Sequence, residues 1–383
     1  MALILTGSSG STTLDSSAGL TFSDSSNQQY AASPYVLKNR IINGDMRIDQ
    51  RNAGASFTPT TSSGYSLDRW RLDVSQNSKL TVQQNAGSVT PPTGFTNYLG
   101  VTSSSSYSVG AGDFFILVQA IEGYNVADLN LGSSSGQSFT ISFRVRSSLT
   151  GTFTGAVNGG NSSSATYPFS YTISSANTWE TKTITIPATS LGTGWGTTNT
   201  LGIQVFFNLG CGATYGGGTA GAWASGFNYA ASGGQSVVGT NGATFYITGV
   251  QLEVGSTATP FERRLYGQEL ALCQRYCNRI YLNAPGILGI VDTTTSTIHI
   301  YYAPVVMRTT PTLTTTGTAS NYQIRRGGGS TICSAVPTFD GGTSENNMLF
   351  RIVGTVASGL TVGQACFMNA GGSETYLILT AEL

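Results

Sequence analysis

Chemistry in a protein needs side chains that ionise, coordinate or stack, and this sequence offers few of the first two kinds. There is one histidine, His299. It alternates with Ile298 and Ile300 in a strand-like stretch, so it should face away from the apolar side. A Ser-His-Asp or Cys-His site would have to use it, and nothing nearby supplies the other members. The cysteines are Cys211, Cys273, Cys277, Cys333 and Cys366. Zinc needs Cys and His in clusters, and an odd count in a long chain argues against a disulfide framework. Reduced, buried thiols are expected. "GGGTAG" (Gly216–Gly221) has the outline of a dinucleotide-binding loop, but no apolar helix follows it. No motif nominates a carboxylate pair for glycoside hydrolysis. The expectation is a chain with no catalytic residue, no metal and no cofactor.

What remains is aromatic side chains in Gly-rich stretches. "SLGTGWGTTN" holds Trp195, and "GCGATYGGGTAGAWASGFNYAASGG" holds Tyr215, Trp223, Phe227 and Tyr229. Segments this long without strand alternation belong to surface loops. Rings placed there can stack on the apolar faces of sugars while Ser, Asn and Thr bond the hydroxyls. Trp195, Tyr215, Trp223 and Tyr229 are therefore candidate carbohydrate contacts. The same rings can instead pin a long loop to the body or fill a contact between subunits. Both readings stand.

These residues need a scaffold, and composition says which kind. The chain has 383 residues, enough for two or three domains. Lys+Arg 18 balances Asp+Glu 18, and charged residues make up 9% where soluble domains carry roughly 25%. That excludes a basic footprint for nucleic acid and the high-charge form of disorder. The first residues, "MALILTGSSG", lack a basic residue and are not expected to be a signal peptide. No apolar run approaches the roughly 18 residues of a membrane span, so no membrane insertion is expected.

Residues 1–36 are Ser-rich without sustained periodicity, apart from one possible strand and turn in "LTFSDSSNQ", and read as an attachment arm. From Ile41 a period of two is clear. "INGDMRID" puts Ile42, Met46 and Ile48 on one face. "DRWRLDV" turns Trp70, Leu72 and Val74 inward and Arg69, Arg71 and Asp73 outward. "FTISFRVRS" and "GIQVFFNLG" alternate in the same way. "DFFILVQAIEG" is apolar on both faces, as in a strand covered on each side. In "TFYITGVQLEV" the inward phase changes at Thr248–Gly249, which predicts a β-bulge. Two sheets packed face to face over 37–262 account for these patterns. Between 263 and 282 the rhythm breaks. Tyr266, Leu270, Cys273, Cys277 and Ile280 repeat at helical spacing, with Leu265, Leu272 and Tyr276 alongside. The stripe predicts a connector helix, either resting on its own sandwich or meeting copies of itself at a symmetry axis. Strand patterns return over 283–383 as a smaller β domain. The fold class expected is all-β: a β-sandwich, a short α-helix, then a smaller sandwich-like domain.

The ordered run "RIINGDMRIDQR", "GYSLDRW", "IEGYNVADL", "SFRVRSSLTGTF", "YTISSANTWETKTITIP" and "GATFYITGVQLEVGSTATPFERRLYGQELALCQRY" resembles a module widespread in bacteriophage tail fibres and related virion proteins. The likeness covers about Asn39–Tyr276. It implies a jelly-roll sandwich of the carbohydrate-binding-module type, a virion location after synthesis in the bacterial cytoplasm, and assembly as a homotrimer. It also implies attachment to other virion proteins through the N-terminal arm and contact with a host surface glycan. Asp68, Arg69, Trp70, Gln251 and Glu253 match as structural positions. A tail fibre or receptor-binding protein, a purely structural head fibre, decoration or baseplate protein, and a polysaccharide depolymerase remain as readings. The depolymerase is the weakest, because nothing repeats like a solenoid.

Overall fold

The computed structural model describes residues 20–21, 27–28, 37–60, 63–160, 165–283, 286–340, 347–371 and 375–383. The chain divides into two compact units, Met1–Lys38 and Asn39–Leu383. In the first, β1 (Leu20–Thr21) pairs antiparallel with β2 (Asn27–Gln28), which places strand structure in "LTFSDSSNQ" as expected; the turn expected there lies outside the described residues. The rest of the expected arm lies outside the described residues.

The second unit begins with a β-sandwich. Its strands are β3 (Ser63–Leu67), β4 (Trp70–Val74), β5 (Leu80–Gln84), β6 (Leu99–Ser103), β7 (Phe114–Glu122), β8 (Phe139–Ser147), β9 (Gly151–Gly159), β10 (Ala165–Ile173), β11 (Glu180–Ile186), β12 (Leu201–Cys211), β13 (Ala224–Ser225) and β14 (Thr244–Val254). One sheet runs β13-β10-β9-β12-β7-β4-β3 and the other β11-β8-β14-β6-β5. The alternating residues of β8 (Phe139, Ile141, Phe143, Val145) meet those of β12 (Ile203, Val205, Phe207, Leu209) in one core, which Trp70 also enters. The indole N–H of Trp70 donates to the Asn43 carbonyl at 3.0 Å, which satisfies its one polar atom in the interior. β14 carries the expected bulge. Its register against β8 shifts between Thr248 and Gln251, Gly249 has φ 62, and a Cβ there would lie 2.6 Å from the Phe95 ring. Phe245 and Ile247 before the bulge, and Val250 and Leu252 after it, are all buried. Beyond β14, Gln251 and Glu253 hold the outgoing chain. The Thr259 N–H donates to Glu253 Oε1 at 2.8 Å and the Glu262 N–H to Gln251 Oε1 at 2.7 Å.

The second half of the unit holds α1 (Tyr266–Gln274), β15 (Cys277–Tyr281), β16 (Ile287–Val291), β17 (Ser296–Tyr302), β18 (Thr312–Thr315), β19 (Tyr322–Arg326), β20 (Gly329–Phe339), β21 (Leu349–Val356), β22 (Ala365–Ala370) and β23 (Tyr376–Thr380). Six of them close a barrel, β16-β17-β21-β20-β19-β22, while β15-β23-β18 form a separate sheet. All-β structure was expected here; the closed barrel in place of a sandwich-like pair of sheets is the new element. Closure leaves none of its strands with a free edge.

Four expectations differ from the structure. "INGDMRID" forms no strand: Asn43 and Met46 take positive φ (57° and 60°), so Met46 enters the sandwich core while Ile42 and Ile48 pack with Cys273 and Tyr276. The helix ends at Gln274, and Cys277 and Ile280 lie on β15, where pairing with β23 supplies a ladder that a longer helix would forgo. Cys273, Cys277 and Ile280 are buried by their own chain, Leu270 is half-buried and Tyr266 is exposed, so the five do not form one outward seam. Arg69 does point away from the sandwich core as expected, but it is buried beneath the second half of the unit instead of facing water.

That burial explains the charged break in the sequence. Arg69 donates to the Glu382 carboxylate and the Ala120 carbonyl, with its guanidinium 3.6 Å from the centre of the Tyr276 ring. Arg51 reaches the other Glu382 oxygen at 2.6 Å. Glu122, at the end of β7, accepts from Arg275 Nη2 at 2.5 Å, Arg275 Nε at 2.9 Å and the Tyr276 hydroxyl at 2.5 Å. Burial alone would raise the Glu122 carboxyl; these donors outweigh it and hold it below the usual range. Arg308 closes the far side, donating to the Ala381 carbonyl at 2.7 Å and the Asn199 carbonyl at 2.9 Å. Glu382→Ala would strand two guanidinium groups in this contact and should lower stability by roughly 3–5 kcal/mol. An unchanged midpoint in urea would contradict that.

His299 also alternates as expected, but with the faces exchanged. The imidazole points into the barrel and is fully buried. Its Nδ1 lies 3.0 Å from the Ile287 carbonyl and its Nε2 lies 2.9 Å from the Thr297 hydroxyl, a pair of contacts that suits the neutral ring. Burial pushes its pKa down to about 4, against the pull of the Ile287 hydrogen bond. The unfolded chain therefore binds a proton that the folded one refuses between about pH 6.5 and 4. The stability due to this residue is complete above that window and lost as pH falls through it, by roughly 3 kcal/mol. Urea midpoints at pH 7 and pH 4 should fall further for the wild type than for His299→Gln; equal falls would contradict the assignment.

Candidate functional site

The expected aromatic residues separate into two groups. Tyr215 and Tyr229, with Phe227, lie on the outer face of the seven-stranded sheet. Tyr229 sits 5.0 Å from the Phe114 ring and 5.1 Å from Phe206, with Tyr215 5.7 Å from Phe114. Beneath them are Ile116, Val118 and Ala156. This is the cover that the two-faced apolar pattern of β7 required. Burial raises the Tyr229 hydroxyl to about 12 and, beside it, the Cys211 thiol to about 12. These two tyrosines are pins for the loop, one of the two roles open to them from sequence.

Trp195 and Trp223 form the other group, meeting edge to face at 5.9 Å and 87°. Trp223 is fixed by its N–H to the Pro187 carbonyl at 2.8 Å and by the Tyr167 ring at 5.4 Å. The Trp195 N–H donates to the Leu191 carbonyl at 3.2 Å. Neither ring can swing without losing these bonds.

Trp195 walls a cleft of about 290 Å³ between the segment that follows β7 and the loop that precedes β12. Asn130, Ser133, Thr193 and Thr197 line it, with Val126, Leu131 and Ile203 as its apolar part and no charged residue. Gly132 makes the close fit possible: its φ is 81°, and a Cβ would lie 2.7 Å from Trp195 Cδ1. An aromatic wall, hydroxyl and amide groups and no charge suit a neutral polyhydroxylated ligand. Sequence reasoning found Trp195 but missed Asn130, Gly132 and Ser133. Their only signal is the turn-rich "NLGSSSG", which reads like many other loops here. Trp179, which stands in the run "YTISSANTWETKTITIP", donates its N–H to the Thr90 carbonyl and packs on Tyr98, away from the cleft. Among the described residues, no group of three His, Cys, Asp or Glu is placed to hold a metal ion. All five cysteines are free thiols, four of them buried and Cys211 partly so.

No protein-family model matches the chain, and no curated protein does. Among solved structures, the enzymatically active domain of bacteriophage CBA120 tailspike protein 4 is similar over 57% of this chain, at 12% identity and a TM-score of 0.31. The chain spans only 21% of that protein. TmCBM61 in complex with β-1,4-galactotriose is similar over 57% of this chain and 99% of its own, at 14% identity and a TM-score of 0.28. The family 11 carbohydrate-binding module of Clostridium thermocellum, with a mixed-linked tetrasaccharide, is similar over 53% and 98%, at 13% identity and a TM-score of 0.27.

The two aromatic groups should respond differently to mutation. Tyr229→Ala uncovers the outer face of the sheet and should cost roughly 2–3 kcal/mol in urea unfolding, while leaving any occupancy of the Trp195 cleft unchanged. A variant as stable as the wild type would contradict the pinning role.

Proposed function

We propose that this protein is a non-catalytic component of a phage virion, a tail fibre or receptor-binding protein that holds a neutral host-surface glycan in the Trp195 cleft. The observation that carries the reading is the cleft: a tryptophan fixed by its neighbours, hydroxyl and amide groups opposite it, and no charged side chain. Stacking needs a ring held in place before the ligand arrives, because immobilising it on binding would cost affinity. The virion location, the homotrimer and attachment through the N-terminal arm follow from the resemblance of Asn39–Tyr276 to fibre modules.

A purely structural virion role is the second reading, favoured by the diversion of Tyr215 and Tyr229 to covering the sheet. Glycan-array screening followed by calorimetry separates the two. The glycan reading predicts binding of an uncharged oligosaccharide and at least a tenfold loss, about 1.4 kcal/mol, for Trp195→Ala. No binding to any host-surface glycan, or full affinity in Trp195→Ala, would refute it.

A further inference from the structure

The exchange of faces at His299 has a consequence for the outside of the barrel. With the imidazole inside, Ile298 and Ile300 must face outward, and β16 behaves in the same way. Leu288 is 61% exposed, Ile290 49%, Ile300 49% and Tyr302 64%. Gly289 pairs with His299 and Ile290 with Ile298, so the same register sets Leu288 beside Ile300. Ala365 extends the row beyond Ile290 on β22. Together they line an apolar groove of about 610 Å³.

β16 is apolar on both faces, and β17 adds the outward row Ile298, Ile300 and Tyr302 to it; an antiparallel strand apolar on both faces is normally covered on both. β7 has that pattern, and the loop bearing Tyr215 and Tyr229 covers it. Among the described residues of the second unit nothing covers the outer face of β16 and β17. A partner cannot add a strand, because every barrel strand already has two neighbours. Charge offers little to recruit one either: Arg351, opposite Ile300 on β21, is held by Asp340 at 2.7 Å.

We propose that a second copy of this chain occupies the face, so that copies associate barrel to barrel through β16 and β17. This rests on the self-association in the reading above and moves the contact from the helix to the barrel. With half to two-thirds of its large side chains open, the patch leaves roughly 500 Å² in water, toward the upper end for one patch on a monomer. Two copies together bring roughly 1,000 Å², the area a specific interface must clear. An uncharged apolar face can pack on the same face of another copy, so identical faces meeting at a symmetry axis leave none of it open. A chain with 18 positive and 18 negative side chains has no net charge to oppose the approach.

Light scattering after size-exclusion chromatography of the full chain tests this across a hundredfold range of concentration. The wild type should be oligomeric, with a thermal midpoint that rises with concentration, and Ile290→Glu/Ile300→Glu should run as a folded monomer whose midpoint does not depend on concentration. Should the double glutamate variant fail to fold, Ile290→Thr/Ile300→Thr keeps strand-forming residues and should shift assembly to at least tenfold higher concentration. An oligomeric wild type whose folded variants stay fully assembled overturns the barrel contact and leaves self-association standing. A monomeric wild type overturns both. Glycan binding per chain should be the same in wild type and variants, so the outcome at the cleft is read separately.

Discussion

Arg69 is a fully buried guanidinium, and the arrangement of the second unit follows from satisfying it. Its partners come from three places: Glu382 after the last strand, the Ala120 carbonyl on β7, and the Tyr276 ring just after the helix. A buried ion pair of this kind adds little stability over an apolar contact of the same size, but leaving one partner alone costs several kcal/mol. It therefore acts by penalising other arrangements. Only when the chain returns from the barrel and lays Ala381–Leu383 against β4 and the helix are all the charges met. Arg71 donating to the Leu383 carbonyl at 3.0 Å and the Ala381 N–H donating to the Tyr276 carbonyl at 2.8 Å hold that return in place.

The helix thus works as a wedge. Cys273 and Tyr276 pack with Ile42 and Ile48 from the segment that enters the sandwich, and Leu383 closes the same cluster. Arg264 donates to the Ile41 carbonyl at 3.1 Å and lies 3.4 Å from Glu269, so the entry to the helix is tied to the entry to the sandwich. A chain with 9% charged residues has few to spend, and it concentrates them where two β structures must keep one orientation. The cleft at Trp195 and the outer face of β16 and β17 then stand in a fixed relation, as simultaneous contact with a glycan and with other copies would require.

Strand alternation made most of the sandwich legible, because β8, β12 and β14 each have one face in a single core. The bulge at Gly249 was legible for the same reason. Local pattern failed where long-range partners decided. Cys277 and Ile280 keep helical spacing from Tyr266, yet β23, about a hundred residues later, draws them into a ladder. Alternation around His299 was correct, but the apolar row of Ile298 and Ile300 read as the inward face, and barrel closure instead buries Thr297 and His299. In the candidate site, Trp195 was visible as an aromatic in a glycine-rich loop. Its neighbours Asn130 and Ser133 were not, because their role depends on two loops meeting. Tyr215 and Tyr229 carried the same signal as Trp195, and only the uncovered face of β7 separated them from it.

Native-state hydrogen exchange on the full chain tests the central claim, that buried charge locks the barrel onto the sandwich. The amides to follow are Ala381, bonded to Tyr276, and Arg308, bonded to the Arg275 carbonyl at 2.8 Å. If the clamp holds, they open only with the sandwich core, and their protection matches that of Phe207 and Ile141 within about tenfold. Exchange at Ala381 and Arg308 a thousandfold faster than in the core, with the barrel strands still protected, would mean that the two halves separate freely and that the clamp does not hold them.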